Sequence, residues 1–189
     1  MKLAFIGLGN PGEKYQKNRH NVGFMFLDYL NKGKIKFKFD KYLESEIAKI
    51  DLPTTNNQKL ATILAKPQTF MNRSGRALSK IMRNTYLPPK NVFVIHDDLD
   101  MRIGQFKIQL GIGPKVHNGL ASIAASIKTK EFFRIRIGVD NRLHVSDVPG
   151  EEYVLENFTE NERKSIESIF PQIFEKLQVI VRKIGRAHV

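Results

Sequence analysis

The sequence predicts an α/β fold, a single-domain, mixed and mostly parallel twisted sheet flanked by helices, on three observations. Apolar runs of strand length at residues 3–6, 60–65, 92–95 and 106–110 each break off into a segment crowded with glycine and hydrogen-bonding side chains. Stretches of helical periodicity lie between these runs. The 189-residue chain contains no Ser/Gly/Pro-rich linker and no internal repeat, so one domain spanning 1–189 with a substantial core is expected.

Each element has its own signal. Residues 3–6 form a buried strand, after which Gly7, Gly9 and Gly12 permit sharp turns and Pro11 fixes its own φ. Residues 21–29 put Val22, Met25, Phe26 and Tyr29 on one helical face, and residues 74–86 do the same with Leu78, Ile81 and Met82. Residues 37–42 and 43–50 read as two strands paired antiparallel, before a polar loop at 53–59. Residues 118–128 read as a helix. From Phe133 to Val139 the residues alternate, so Arg134 and Arg136 leave one face of a strand while apolar neighbours pack on the other. Thr159 with Glu162 makes a capping box for a C-terminal helical region from about 159 to 183, which Pro171 should start, bend or divide.

If the apolar runs are neighbouring strands, their polar ends converge on the carboxyl edge of the sheet, where open α/β folds bind ligands. Four islands would then meet: Asn10, Tyr15, Arg19, His20 and Asn21 from the first, and Phe70, Met71 and Asn72 from the second. The others supply His96, Asp97, Asp98 and Asp100, then His117 and Asn118. His20 is the candidate base, because its ordinary pKa lies nearest neutrality. Asp97 is the candidate orienter, accepting from the other imidazole nitrogen as in a serine-protease triad with water in place of serine. Asn10, Asn72 and Asn118 can each donate and accept while staying neutral, which suits a polar substrate; the competing role is an Asx turn or helix cap. Tyr15, Phe70 and Met71 fit an apolar wall or the core equally well. His144 and His188 fall outside the islands and have ordinary surface roles.

Composition narrows the partners. Lys and Arg number 31 against 19 Asp and Glu, a formal charge of +12, which suits a polyanion. The lysines between Lys32 and Lys41 can equally serve as solvation of strands. Without cysteine there is neither a disulfide framework nor thiolate chemistry, and the opening MKLAFIGLGN has too short an apolar run for a signal peptide. A cytoplasmic location without membrane association is expected.

The motifs GLGNPG, RHNVG, MNRSG, HDDLD and HNGLASI, in this order and spacing between Lys2 and Phe158, resemble the bacterial-type peptidyl-tRNA hydrolases. The resemblance implies a monomeric enzyme that hydrolyses the ester joining a peptide to the 3′ ribose of tRNA. It carries the family's motif histidine onto His20 and its first HDDLD aspartate onto Asp97. It further implies that Asn10 and Asn72 hold the peptide and terminal adenosine region, and that Asn118 with His117 orients water or receives the acceptor end. The basic residues around the His117 island, Lys107, Lys115, Lys128, Lys130, Arg134 and Arg136, are the candidate tRNA phosphate contacts, with Lys107, Lys115, Arg134 and Arg136 foremost. No metal or other cofactor is expected, since a histidine can activate water unaided; a magnesium site at His96, Asp97, Asp98 and Asp100 is the alternative.

Three departures from the family pattern stand out: Asn18 for a usual threonine, Pro114-Lys115-Val116 in a usually glycine-rich approach to HNG, and Val139-Asp140-Asn141 for a Gly-Ile-Gly-like continuation. The second should stiffen its loop and limit close approach of a peptide backbone. Two other function classes remain. Gly7, Gly9 and Gly12 satisfy GxGxxG, which would suit a dinucleotide-binding oxidoreductase if a helix followed directly. An RNA-binding protein without catalysis would follow if His20 and Asp97 proved to be apart.

Overall fold

A seven-stranded mixed sheet organises the chain in a computed structural model that describes residues 2–53, 59–143 and 148–186. β1 (Lys2–Gly7) passes through 3-10 turns at Glu13–Tyr15 and Arg19–Asn21 into α1 (Val22–Asn31). β2 (Lys38–Asp40), β3 (Ser45–Pro53) and β4 (Lys59–Pro67) follow, and a 3-10 turn at Met71–Arg73 opens α2 (Ser74–Thr85). β5 (Val92–Arg102) and β6 (Phe106–Leu110) lead to α3 (Asn118–Ile127), β7 (Phe133–Asp140), the short α4 (Gly150–Tyr153) and the long α5 (Glu160–Arg186). His144, His188 and the middle of the polar loop at 53–59 lie outside the described residues.

The spatial order is β2-β3-β4-β1-β5-β7-β6. β4, β1, β5 and β7 form a parallel centre, while β3 and β6 run against it and β2 with it. Five of seven strands therefore share one direction, as expected of a mixed, mostly parallel sheet. The central strands are apolar on both faces because both are covered. On one face Phe5, Phe93 and Phe133 stack across β1, β5 and β7 at centroid separations of 4.8 and 4.7 Å, beneath α1 and α5. On the other, Ile6, Val92 and Val94 pack against Leu78 and Ile81 of α2 and Leu120 and Ile123 of α3.

Where the first strand meets the first helix, side chains are excluded by backbone. A Cβ on Gly7 would lie 2.5 Å from the Gly23 carbonyl oxygen, and one on Gly23 would lie 2.5 Å from the Ile95 oxygen. This crossing draws the start of α1 onto the ends of β1 and β5. The dinucleotide reading fails here, because Gly12 (φ 106°) is followed by a 3-10 turn and not by a helix whose N-terminus could face a pyrophosphate.

Several expectations are corrected. The strand expected at 92–95 continues to Arg102, so the HDDLD residues lie within β5 and not in a loop beyond it. β6 is antiparallel to β7, with Leu110 opposite Phe133, so the island after β6 starts at the far end of the sheet and runs back to reach the others. β2 is only three residues long, because the chain turns through 41–44 with Glu44 at φ 50°. α5 continues through Pro171 undivided: Pro171 and Glu167, whose carbonyl loses its amide partner, are both exposed, so water can serve that oxygen. Thr159 and Glu162 do form the reciprocal capping box, Thr159 N to Glu162 Oε2 at 2.8 Å and Glu162 N to Thr159 Oγ1 at 3.3 Å.

Candidate active site

His20 is held from two directions. Its 3-10 turn runs beside residues 154–158: Arg19 N donates to the Glu156 oxygen at 3.0 Å, His20 N to the Val154 oxygen at 2.8 Å, and Phe158 N to the Lys17 oxygen at 3.0 Å. Asn18, one of the departures, joins this strip through its side-chain amide, which donates to the Leu155 carbonyl. Arg19 locks the strip to α5. Its Nη2 donates to both oxygens of Glu162 at 3.1 and 3.0 Å, its Nη1 donates to the Asn157 oxygen at 2.9 Å, and its guanidinium lies 4.1 Å from the Tyr153 ring centroid.

The imidazole then meets β5. His20 Nδ1 lies 2.8 Å from Asp97 Oδ1, and His117 Nε2 reaches the same oxygen at 3.1 Å. Two rings on one carboxylate oxygen are distinguished by what their other nitrogens do. His117 Nδ1 accepts the amides of Gly119 at 3.1 Å and Leu120 at 3.3 Å, capping α3. That nitrogen therefore carries no proton, and Nε2 is the one that donates to Asp97. His20 donates to Asp97 through Nδ1, and among the described residues its Nε2 makes no hydrogen bond. His20, Asp97 and His117 all line a cleft of about 450 Å³, and His20 Nε2 is the ring nitrogen left there without a hydrogen-bond partner among the described residues.

Electrostatics sharpen the arrangement. Burial pushes the Asp97 carboxyl up, but His20 and His117 outweigh it and hold the group well below the usual carboxylate range. Burial likewise pushes His20 down, and the charge and hydrogen bond of Asp97 outweigh it, leaving the pKa above 6.5. His96 points to the other face of the sheet. It is fully buried, donates from Nδ1 to the Asp97 carbonyl at 2.7 Å and meets the His117 ring edge-on at 5.0 Å. Burial, then neighbouring His117, takes it down to about 3, so it stays neutral.

The asparagines divide into frame and cleft. Asn10 and Asn21 bond reciprocally, Asn10 N to Asn21 Oδ1 and Asn21 Nδ2 to the Asn10 oxygen, both at 2.9 Å. Asn10 Oδ1 accepts the Met71 amide at 3.0 Å, which ties the first island to the second and directs the Asn10 amide nitrogen as the remaining donor. Asn10, Asn72 and Asn118 all line the cleft, with Phe70 (56% exposed) and Met71 as its apolar wall. Tyr15 does not line it; it is half-buried with Lys14 Nζ 4.7 Å from its ring centroid.

The basic residues separate by exposure. Lys107 and Lys115 are exposed, Lys115 bonding from its backbone amide to Asp100 Oδ2 at 3.1 Å. Arg134 and Arg136 share one face of β7, as alternation predicts, but both are buried. Arg136 Nε donates to Asp98 Oδ2 at 2.6 Å and its Nη1 to Gln109 at 2.9 Å. Arg134 lies over Phe132 and against Gly113. Alternation gives the face on which a side chain leaves a strand, not what covers that face, and here Asp98, Gln109 and the loop before His117 cover it. The two arginines are thus buried and not presented on the surface, Arg136 held by Asp98 and Gln109 and Arg134 against Gly113 in the loop before His117. The Val139-Asp140-Asn141 departure is also absorbed structurally: Val139 is in the core, Asp140 accepts from Arg142 Nε at 2.7 Å, and Asn141 N donates to the Tyr153 hydroxyl at 3.1 Å.

Sequence reasoning missed the wall formed by Leu99, Val116, Gly150, Glu151, Val154 and Leu155. Residues 150–155 carry no motif; only their pairing with the His20 strip brings them in.

A family model described as peptidyl-tRNA hydrolase matches residues 4–188 of this chain. The chain belongs to the peptidyl-tRNA hydrolase family. Peptidyl-tRNA hydrolases of Mycolicibacterium smegmatis and Mycobacterium marinum are 39% and 38% identical to it, over 95% of this chain and 91% of theirs. The crystal structure of the peptidyl-tRNA hydrolase from Acinetobacter baumannii superposes with a TM-score of 0.83 at 28% identity, over 98% of this chain and 91% of that one. A peptidyl-tRNA hydrolase in complex with N-propanol gives the same TM-score and identity. The protein is therefore a hydrolase of peptidyl-tRNA, a translation enzyme, and the bacterial-type resemblance holds across the whole fold. No helix among the described residues is long and apolar enough to cross a membrane.

Proposed function

We propose that this hydrolase cleaves the ester between a peptidyl group and the 3′ ribose of tRNA with a water activated at Nε2 of His20. The observation that carries the reading is the division of labour on Asp97 Oδ1: one imidazole is left with an open nitrogen at the cleft, and the other is committed to a helix cap. Water gives its proton to Nε2 as its oxygen attacks the ester carbonyl carbon, and Asp97 stabilises the resulting imidazolium. The amide groups of Asn10, Asn72 and Asn118 are the donors available to the carbonyl oxygen as it gains charge. When the tetrahedral intermediate collapses, the bond to the ribose oxygen breaks and His20 returns the proton to that oxygen, releasing free peptide and free tRNA. Phe70 and Met71 grip the peptide or stack on the terminal base, and Lys107 and Lys115 meet phosphates of the acceptor stem. The enzyme works as a single-domain monomer in the cytoplasm and needs no cofactor.

His20, Asp97 and His117 also offer ligand atoms within 4.8 Å of one another, which favours a second reading as a metal site. Against it, both ring nitrogens sit at hydrogen-bond distance from one oxygen, and His117 Nε2 is the protonated one. Release of an N-blocked aminoacyl group from its tRNA in the presence of EDTA tests the two: full activity is expected. Loss restored by a divalent ion would replace the histidine mechanism with a metal-assisted one.

A further inference from the structure

β2 and its flanks read KGKIKFKFDKY over residues 32–42, and β2 forms one edge of the sheet. Lys34, Lys36, Lys38, Lys41 and Lys49 are exposed, and among the described residues none of them makes an ion pair. Lysines alone would suit an open edge, since charge there discourages pairing with another chain. The aromatic residues between them do the opposite: Phe39 is 61% and Tyr42 66% exposed, leaving apolar rings beside an unpaired strand. Lys36, Lys38, Lys41 and Lys49 border a groove of about 580 Å³ with the two rings, and Asp40 is the one acidic side chain among its lining residues. Cations that follow a backbone, interleaved with rings on which bases stack, are the chemistry of single-stranded nucleic-acid binding.

We propose that the β2 edge is a second RNA-binding surface, one that takes an unpaired RNA strand with phosphates on the lysines and a base on Phe39 or Tyr42. Its position separates it from the cleft without isolating it. Asp40 pairs with Ser45 and Ser45 with Pro67, so the end of β2 lies at the same end of the sheet as the cleft. Three strand spacings, about 14 Å, separate β2 from β1. Lys107 lies on β6, the opposite edge. A stem that leaves the cleft over β6 runs away from β2, so both surfaces can be filled together. That simultaneous occupancy rests on the reading of the cleft given above; binding of RNA at β2 does not.

The test is fluorescence anisotropy of a labelled oligouridylate of about twelve nucleotides, within the usual span of such sites. The wild-type protein should bind it, and Phe39→Ser with Tyr42→Ser should weaken binding at least about fivefold, the lower end of what one missing base stack costs. Lys36→Glu with Lys38→Glu should also reduce the log-log salt slope by about 0.7 for each phosphate no longer neutralised. Hydrolysis of an N-blocked aminoacyl ester on a CpCpA fragment should be unchanged in both variants. Equal affinity in wild type and both variants would overturn the proposal, as would displacement of the oligouridylate by excess CpCpA, which would place it in the cleft. Binding at β2 by a protein that hydrolyses no ester would uphold this proposal and overturn the cleft mechanism alone.

Discussion

The two histidines on Asp97 are chemically the same group in two structural offices. His20 stands on a 3-10 turn clamped by residues 154–158 and by the Arg19–Glu162 pair, so its ring needs no further bond to stay in place. His117 is held by its own second nitrogen, which caps α3. Support from the backbone frees a nitrogen for chemistry; support from the side chain uses it up. A histidine is therefore made available as a base less by its pKa than by having its positioning done elsewhere.

The sharpest way to break this comparison is to remove each ring in turn. His20→Ala should lower turnover by about 10³-fold, roughly 4 kcal/mol in barrier height, with tRNA affinity retained. Asp97→Asn should be severely impaired as well, since the amide lacks the negative charge that stabilises the imidazolium and puts an NH2 donor where a carboxylate oxygen stood, which disturbs the tautomers of both rings. His117→Ala should cost far less turnover but about 1 kcal/mol of stability through removal of the cap, a fall of roughly 2–4 °C in Tm for a chain of this size. Equal turnover losses for the two alanine variants, at equal stability, would erase the distinction drawn between them.

Next in size is the clamp. Arg19→Ala removes the ion-pair partner of buried Glu162 and leaves it only the bonds from Thr159 N and Asn141 Nδ2, which should cost about 3 kcal/mol, or roughly 6–12 °C in Tm. Turnover should fall with KM little changed, because the variant loosens the strip that carries His20 and leaves the cleft walls from the second and fourth islands in place. A thermal melt alongside steady-state kinetics separates these effects. Loss of Tm with full turnover would mean that His20 is positioned by Asp97 alone.

The pH dependence follows from the same pair, and the contribution of His20 to stability is opposite in sign to its effect on activity. His20 must be neutral to accept a proton, and its folded pKa lies above 6.5, so kcat/KM should fall about tenfold per unit once pH drops below a midpoint above 6.5. The stabilisation contributed by charged His20 on Asp97 is fully present below the unfolded value of 6.5 and is lost as pH rises through the folded pKa. That from Asp97 is present above the usual aspartate range and fades as pH falls through its depressed folded value. An acid limb centred below 6.5 would contradict the raised pKa and point to another base.

Much of this was legible in the sequence, for physical reasons that also mark where reading stops. Apolar runs and helical spacing report burial, so the sheet, its covering helices and the capping box at Thr159 and Glu162 could be read directly. His20 and Asp97 could be paired because few side chains suit a base and its orienter. What local pattern does not encode is what lies across the fold. The strip at 154–158 gives no motif because its role is backbone pairing, Arg134 and Arg136 show a face but not its cover, and the direction of β6 depends on its neighbour. The helix cap on His117 was equally hidden, since it turns on which ring nitrogen meets which amide.

The smallest effect concerns the exposed lysines, where the comparison extends from groups that act on the bond to groups that only hold the substrate. Lys107 is exposed on β6, opposite the buried Arg136 that pairs with Asp98, so its charge faces solvent. If it meets a phosphate, Lys107→Ala should weaken binding of full-length tRNA and reduce the log-log salt slope by roughly 0.7 to 0.9. Turnover on an aminoacyl-ester fragment lacking the stem should not change, because nothing that touches His20, Asp97 or Asn10 has been altered. Lys115→Ala should behave likewise, since its bond to Asp100 is made by the backbone amide and survives the substitution. Equal losses on tRNA and fragment with an unchanged salt slope would instead make the lysine part of the cleft or the fold, and the electrostatic role would then have to be sought elsewhere among the exposed cations.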